Sequence, residues 1–178
     1  MSFLRTSLVL IMFMTVSAVN AANDKAIFGL SLGDYSEELT EAKEQGKKGV
    51  LLFFEMDECP FCHRMKTTVL NQPEVIAYLK KHFLVFSIDI EGDVEINDFA
   101  GNAMPMKDFA FKQNRVRATP VFAFYDLEGN IVTKYTGPTS GVEEMMWLGE
   151  YVVNEHYKTM RFTKFKKIKR EEIKNNKK

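Results

Sequence analysis

Apolar residues recur along this chain in two patterns, and the switches between them predict its elements. Apolar runs at residues 50–54 (VLLFF) and 121–125 (VFAFY), and a mostly apolar one at 83–90 (FLVFSIDI), have the length and the β-branched and aromatic content of buried strands. Between them the period lengthens to three and four. Residues 34–48 read as a surface helix, capped by Asp34 or Ser36 and bracketed at its end by Gly46 and Gly49. A second helix, 60–70, is stopped by Asn71-Gln72-Pro73. Pro73 then opens a third, 74–82, with Val75, Ile76 and Leu79 inward. After the second strand the pattern fades: residues 91–102 predict a loop, and 105–113 a helix with Met106, Phe109 and Ala110 inward. A fourth strand at 131–135 follows the third across Asp126-Leu127-Glu128-Gly129-Asn130, a spacing that predicts a hairpin. The last helix, 141–158, sets Val142, Met145, Gly149, Val152 and His156 on one face. Strands separated by helices imply a parallel crossover, and the closing hairpin adds an antiparallel edge, so the class is α/β.

The first residues change the picture of where such a domain works. One basic residue, Arg5, precedes the apolar run 8–16 and the small residues Val19-Asn20-Ala21, the layout of a secretory signal peptide. Cleavage is expected after Ala21, with Ala18 or Ala22 as alternatives, and a retained membrane anchor is the competing reading. The expected division is residues 1–21 as signal peptide, 22–158 as the domain and 159–178 as a basic tail. Charge is neutral overall but uneven, about +8 from Lys158 onward and about −9 on the body. The tail reads as a solvated, partly helical extension, with weak contact to an anionic surface as its only functional alternative; nucleic acid is not an expected partner.

The chain has only two cysteines, in Cys59-Pro60-Phe61-Cys62 directly after the first strand. Pro60 suits a first helical turn, so Cys59 is expected at a helix N-terminus, where unpaired N–H groups and the helix dipole favour a thiolate. Cys62, one turn on, lies on the same face, within reach of a mixed disulfide on Cys59. A loop this small does little to brace a domain, so the pair points to dithiol/disulfide chemistry rather than stapling. Metal ligation is disfavoured, because a structural zinc site takes four ligands and no second cysteine pair exists. With His63 the motif also spells Cys-x-x-Cys-His, the attachment pattern of a c-type haem, for which Met104 or Met106 would be axial candidates. No cofactor beyond the redox-active disulfide is expected on the main reading. A positive His63 would favour the Cys59 thiolate; Glu55, Asp57 and Glu58 would oppose it. Met104 and Met106 are also the methionines to test as substrate contacts.

Three matches in order, the strand entering Cys59-Pro60-Phe61-Cys62, then Ala118-Thr119-Pro120 opening a strand, then Asp126 to Asn130 with Gly137 closing the hairpin, resemble the thioredoxin fold. The resemblance covers residues 34–157 and implies a central mixed sheet of about four to five strands flanked by helices. It implies that Pro120 is cis and lies against the cysteines, and that Thr119 offers backbone groups to an extended substrate peptide. Cys-Pro-Phe-Cys-His, NQPEVIAYLKKHF and the leader are most similar to exported thioredoxin-like proteins of the SoxW type, and the cysteine region to the periplasmic Dsb isomerases. Two departures stand out. Thioredoxin carries a buried Asp where this chain has Phe53, so a proton acceptor for Cys62 must be another group, Glu55 or water. The interval from Cys62 to Pro120 is also longer than thioredoxin's, which places an insertion at 91–111 before the cis-proline loop, where it would shape the substrate groove.

The expected activity is that of a periplasmic thiol:disulfide oxidoreductase. It would reduce protein or peptide disulfides through Cys59 and Cys62, with Pro60, Phe61, His63 and Glu55 shaping the site and Thr119 and Pro120 binding substrate. The resemblance implies a membrane electron donor of the DsbD type. An oxidising or isomerising Dsb-like role, the haem protein and a non-catalytic peptide-binding module are the alternatives.

Overall fold

The computed structural model describes residues 27–176. The expected signal peptide and its cleavage site lie outside these residues. Four strands form the main sheet in the order β2-β1-β5-β6: β1 (Gly49–Glu55), β2 (Phe83–Asp89), β5 (Val121–Tyr125) and β6 (Ile131–Thr136). β1 pairs parallel with β2 and antiparallel with β5, and β5 pairs antiparallel with β6. The two central strands are buried on both faces, which is why their sequences are continuous apolar runs rather than alternating ones. Side chains still alternate between faces. Leu51 and Phe53 of β1 join Phe122 and Phe124 of β5 in one core layer, and Val50, Leu52 and Phe54 join Val121, Ala123 and Tyr125 in the other.

Helices cover both faces. The first layer lies under α2 (Pro60–Thr68), α3 (Pro73–His82) and α5 (Val142–Val153); the second lies under α1 (Tyr35–Glu44). The Asp34 carboxylate, not Ser36, caps α1, accepting from the Ser36 and Glu37 backbone N–H groups at 3.0 and 3.1 Å. α1 stops at Glu44, short of the expected Lys48, because Gly46 takes a left-handed φ of 64° and the Lys47 N–H turns back to the Ala42 carbonyl. Gly149 lets α5 and α3 approach closely: a Cβ there would sit 2.8 Å from the Tyr78 ring.

Two expectations need correction. Residues 91–102, expected as a loop, contain β3 (Glu95–Asn97), which pairs with β4 (Ala103–Pro105) in a second, two-stranded sheet. Strands of three residues with one buried side chain, Ile96, carry too little pattern to be read. Their turn is organised by Asp98, whose carboxylate accepts from the Ala100 and Asn102 backbone N–H groups and from the Asn102 and Gln113 side chains. The hairpin is tied to the start of α1 by Asn97, which donates to Asp34 at 2.7 Å. A helical turn, α4 (Met106–Asp108), then runs into a wider turn at Phe109–Gln113, with Phe109 and Ala110 buried as expected.

The second correction concerns the C-terminal end. The last sheet-packing helix ends at Val153, not near Lys158, because Glu155 adopts a left-handed φ of 56° and breaks it. The segment read as a solvated tail folds back as α6 (Phe162–Asn176) against α5. Phe165 is buried, and Phe162 and Ile173 pack on the same core layer. Lys166 reaches Glu144 at 2.5 Å and Lys169 reaches Glu150 at 2.8 Å. Apolar residues that look sparse along the chain are sufficient because Phe162, Phe165, Lys166, Lys169 and Ile173 share one helical face, the lysines packing through their stems.

Candidate active site

β1 and β2 run parallel, so both deliver their C-terminal ends to the same edge of the sheet. From β1 a short turn, Met56 to Glu58, leads to Cys59, the N-cap of α2 with extended φ and ψ of −120° and 95°. Pro60 occupies the first helical position, where its missing N–H removes no bond. The Cys59 sulfur accepts from the Cys62 backbone N–H at 3.0 Å, the place a capping oxygen usually takes. The two cysteines form a disulfide, with Sγ atoms 2.07 Å and Cα atoms 5.2 Å apart. Both are shielded, at 6% exposure for Cys59 and 1% for Cys62.

The loop before β5 faces this pair. The Thr119–Pro120 peptide is cis, and the Thr119 hydroxyl donates to the Cys59 sulfur at 3.2 Å. Pro120 is buried, and its carbonyl accepts from the Gly137 N–H at 2.8 Å, anchoring the loop to the end of the hairpin. Phe61 stands out from the surface at 54% exposure, with the Arg64 guanidinium 5.6 Å from its ring centre. His63 is exposed one residue beyond Cys62. Phe53, where the thioredoxin resemblance would put an acid, is fully buried between Phe28 and Phe122. A charge there would have no partner.

Beside Cys62 lies a cavity of about 180 Å³, lined from β1 by Glu55, from the turn by Met56 and Asp57, from α2 by His63 and Lys66, and from β2 by Ser87 and Asp89. Glu55, at the end of β1, binds the Lys66 ammonium at 2.5 Å. Lys66, Ser87 and Asp89 escaped the sequence reading. Lys66 is one helical turn past Cys62, a spacing that could have flagged it; the two β2 residues reach the site only through strand pairing.

The insertion occupies a different place from the one expected. Its hairpin packs with Tyr35 and Phe109 in the second core layer, on the sheet face opposite the cysteines, and Met104 and Met106 go with it. The axial ligands of the haem reading, and the methionine contacts to substrate, are therefore on the wrong face. Phe111, also in the insertion, is exposed, with the Arg117 guanidinium 5.2 Å from its ring centre. Among the described residues, no group of three or more His, Cys, Asp or Glu is placed to hold a metal ion.

A closed Cys-x-x-Cys at a helix N-terminus, faced by a cis-proline loop on a β2-β1-β5-β6 sheet, defines a thioredoxin-like thiol:disulfide oxidoreductase. The chain belongs to the thioredoxin-like domain family, which matches residues 35–152. Comparison with curated proteins finds no match. Among solved structures it is similar to a thioredoxin from Thermus thermophilus, 26% identical over 70% of this chain and 88% of that one, with a TM-score of 0.53. A thioredoxin-fold protein from Helicobacter pylori is 21% identical over 66% of this chain and 83% of its own, with a TM-score of 0.54. A DsbH oxidoreductase is 20% identical over 83% and 95%, with a TM-score of 0.51. These distant likenesses speak for the fold alone.

Proposed function

We propose that the protein is exported to the periplasm and there reduces disulfides in proteins or peptides. The observation that carries the dithiol chemistry, whichever way the electrons run, is the asymmetry of the pair: Cys59 receives the Thr119 hydroxyl and the Cys62 N–H, while Cys62 is buried beneath it. Donors aimed at one sulfur favour its thiolate, so Cys59 is the nucleophile. In the reduced protein the Cys59 thiolate attacks a substrate disulfide, forming a Cys59–substrate disulfide and expelling the other substrate sulfur as a thiolate. Cys62 then attacks the Cys59 sulfur, the mixed disulfide breaks, the second substrate sulfur leaves, and two electrons have passed to the substrate. Thr119 supplies backbone pairing to an extended substrate segment, and Phe61 gives it apolar contact.

Export rests on the leader pattern in residues 1–21 and fits a chain with no third cysteine. No helix among the described residues is long and apolar enough to cross a membrane. A membrane electron donor of the DsbD type would return the pair to the dithiol. The acidic turn at Asp57 and Glu58 disfavours the thiolate and supports the reducing direction. The Thr119 hydroxyl works the other way, and is the specific support for an oxidising or isomerising role. The exposed Lys164, Lys167 and Lys174 of α6 support no more than a salt-sensitive contact with an anionic surface.

The test is covalent trapping in the native envelope. Cys62→Ser should accumulate mixed disulfides on Cys59, and Cys59→Ser should accumulate none; equilibration of the wild type with glutathione then assigns the direction. If both variants behave as wild type, the chain is a binding module instead.

A further inference from the structure

Cys62 is buried at 1% exposure, yet it must shed a proton before it can attack Cys59. The cavity beside it is polar, at about 180 Å³ has room for several waters, and is bounded by groups from β1, the turn, α2 and β2. Five charged or titratable side chains face it: Glu55, Asp57, His63, Lys66 and Asp89; Glu58 adds a further charge in the turn. Asp57 and Glu58 project into solvent, as does His63. Asp89 spends one oxygen on the Glu91 N–H at 2.9 Å. Lys66 is a cation and accepts nothing. Asp89 keeps its other oxygen free and is the competing acceptor; what singles out Glu55 is the ion pair with Lys66, which engages Oε2, leaves Oε1 to accept, and holds a side chain only 17% exposed at the end of the strand that leads to the cysteines.

We propose that Glu55 accepts the Cys62 proton through water in this cavity, with Lys66 as the positioning residue that holds it there. The inference rests on the oxidoreductase reading. In the resolving step the Cys62 thiol proton passes to the Glu55 carboxylate as the sulfur's electron pair forms the bond to the Cys59 sulfur. The Cys59–substrate bond breaks, and its electrons leave on the substrate sulfur, which takes a proton from solvent. Glu55 returns its own proton to solvent through the open mouth of the cavity. Protonation of Glu55 releases Lys66, whose side chain is 42% exposed and is solvated when the pair opens.

The experiment separates the two chemical steps in the full chain. Reduced protein is mixed rapidly with Ellman's reagent; a first release of thionitrobenzoate reports attack by Cys59, and a second reports resolution by Cys62. In Glu55→Gln the first release should stay within about twofold of wild type, while the second slows by at least about tenfold near neutral pH. That deficit should shrink as pH rises and hydroxide replaces the lost acceptor. Glu55→Asp should recover part of the rate, Lys66→Met should lose part, and Glu91→Gln, removing a nearby charge of the same sign, should leave both steps unchanged. A wild-type second step and pH profile in Glu55→Gln overturns the proposal, as does equal slowing of both steps, an equal effect of Glu91→Gln, or a larger loss of the second step in Asp89→Asn than in Glu55→Gln. If wild type gives no first release at all, the oxidoreductase reading itself fails.

Discussion

Replacing Thr119 by Val tests how much of the reactivity of Cys59 comes from one hydroxyl. The substitution keeps β-branching and nearly the same volume, so the cis-proline loop retains its packing while the donor 3.2 Å from the Cys59 sulfur is lost. A hydrogen bond to an ionised acceptor contributes roughly 1.5–3 kcal/mol. Sulfur is a soft acceptor and Thr119 is only half-buried, so the lower end applies. About 1.5 kcal/mol corresponds to roughly one pKa unit, and the Cys59 thiol should titrate higher by that much. Where Cys59 is ionised in the wild type, the reduced state loses the same energy, and the reduction potential should fall by about 30 mV. Alkylation of Cys59 as a function of pH, in a Cys62→Ser background, measures the first quantity; equilibrium with glutathione measures the second. If Cys59 titrates within about 0.3 unit of wild type, the hydroxyl is packing and not a thiolate donor.

Two further outcomes concern the frame that holds the site. The Glu144 carboxyl is buried, which alone would raise its pKa, but bonds from Lys166, Ser140 and Tyr135 outweigh this and bring it from 4.5 to about 2. The stability this contributes is complete above the unfolded value and is lost as pH falls through the folded one; it amounts to roughly 3 kcal/mol between those limits. Denaturation midpoints should therefore drop between pH 4.5 and about 2, and Glu144→Gln should flatten that part of the profile while weakening the docking of α6 at neutral pH. Gly49 opens β1 at φ 152°, where a Cβ would lie 1.8 Å from the Tyr125 carbonyl oxygen. Gly49→Ala should push β1 from β5 and reduce stability by at least about 2–3 kcal/mol in urea unfolding; a neutral result would mean that this strand pair yields easily.

The chemistry-bearing stretch was legible because its signals are local. Val50 to Phe54 could only be buried, Pro60 could only begin a helix, and two cysteines three residues apart then share a face whatever surrounds them. The same holds for Phe109 and Ala110, whose inward placement follows from helical spacing, and for the hairpin across Asp126 to Asn130. The signals weakened where an element depends on partners distant in sequence. Glu95 to Asn97 becomes a strand only because Ala103 to Pro105 pairs with it and Asn97 bonds Asp34.

Sequence alone determined the redox pair, the order of the four main-sheet strands and of the helices α1, α2, α3 and α5 between and after them, and the absence of an acid at Phe53, because each follows from residue type and short spacing. Tertiary structure decided which sheet face each part serves: it sent the insertion and its methionines away from the cysteines and drew the basic C-terminal segment onto α5. It also brought Glu55, Lys66 and Asp89 around one cavity. Strand pairing and helix packing join residues that no local period relates, and burial acts on the assembled surface rather than on the chain.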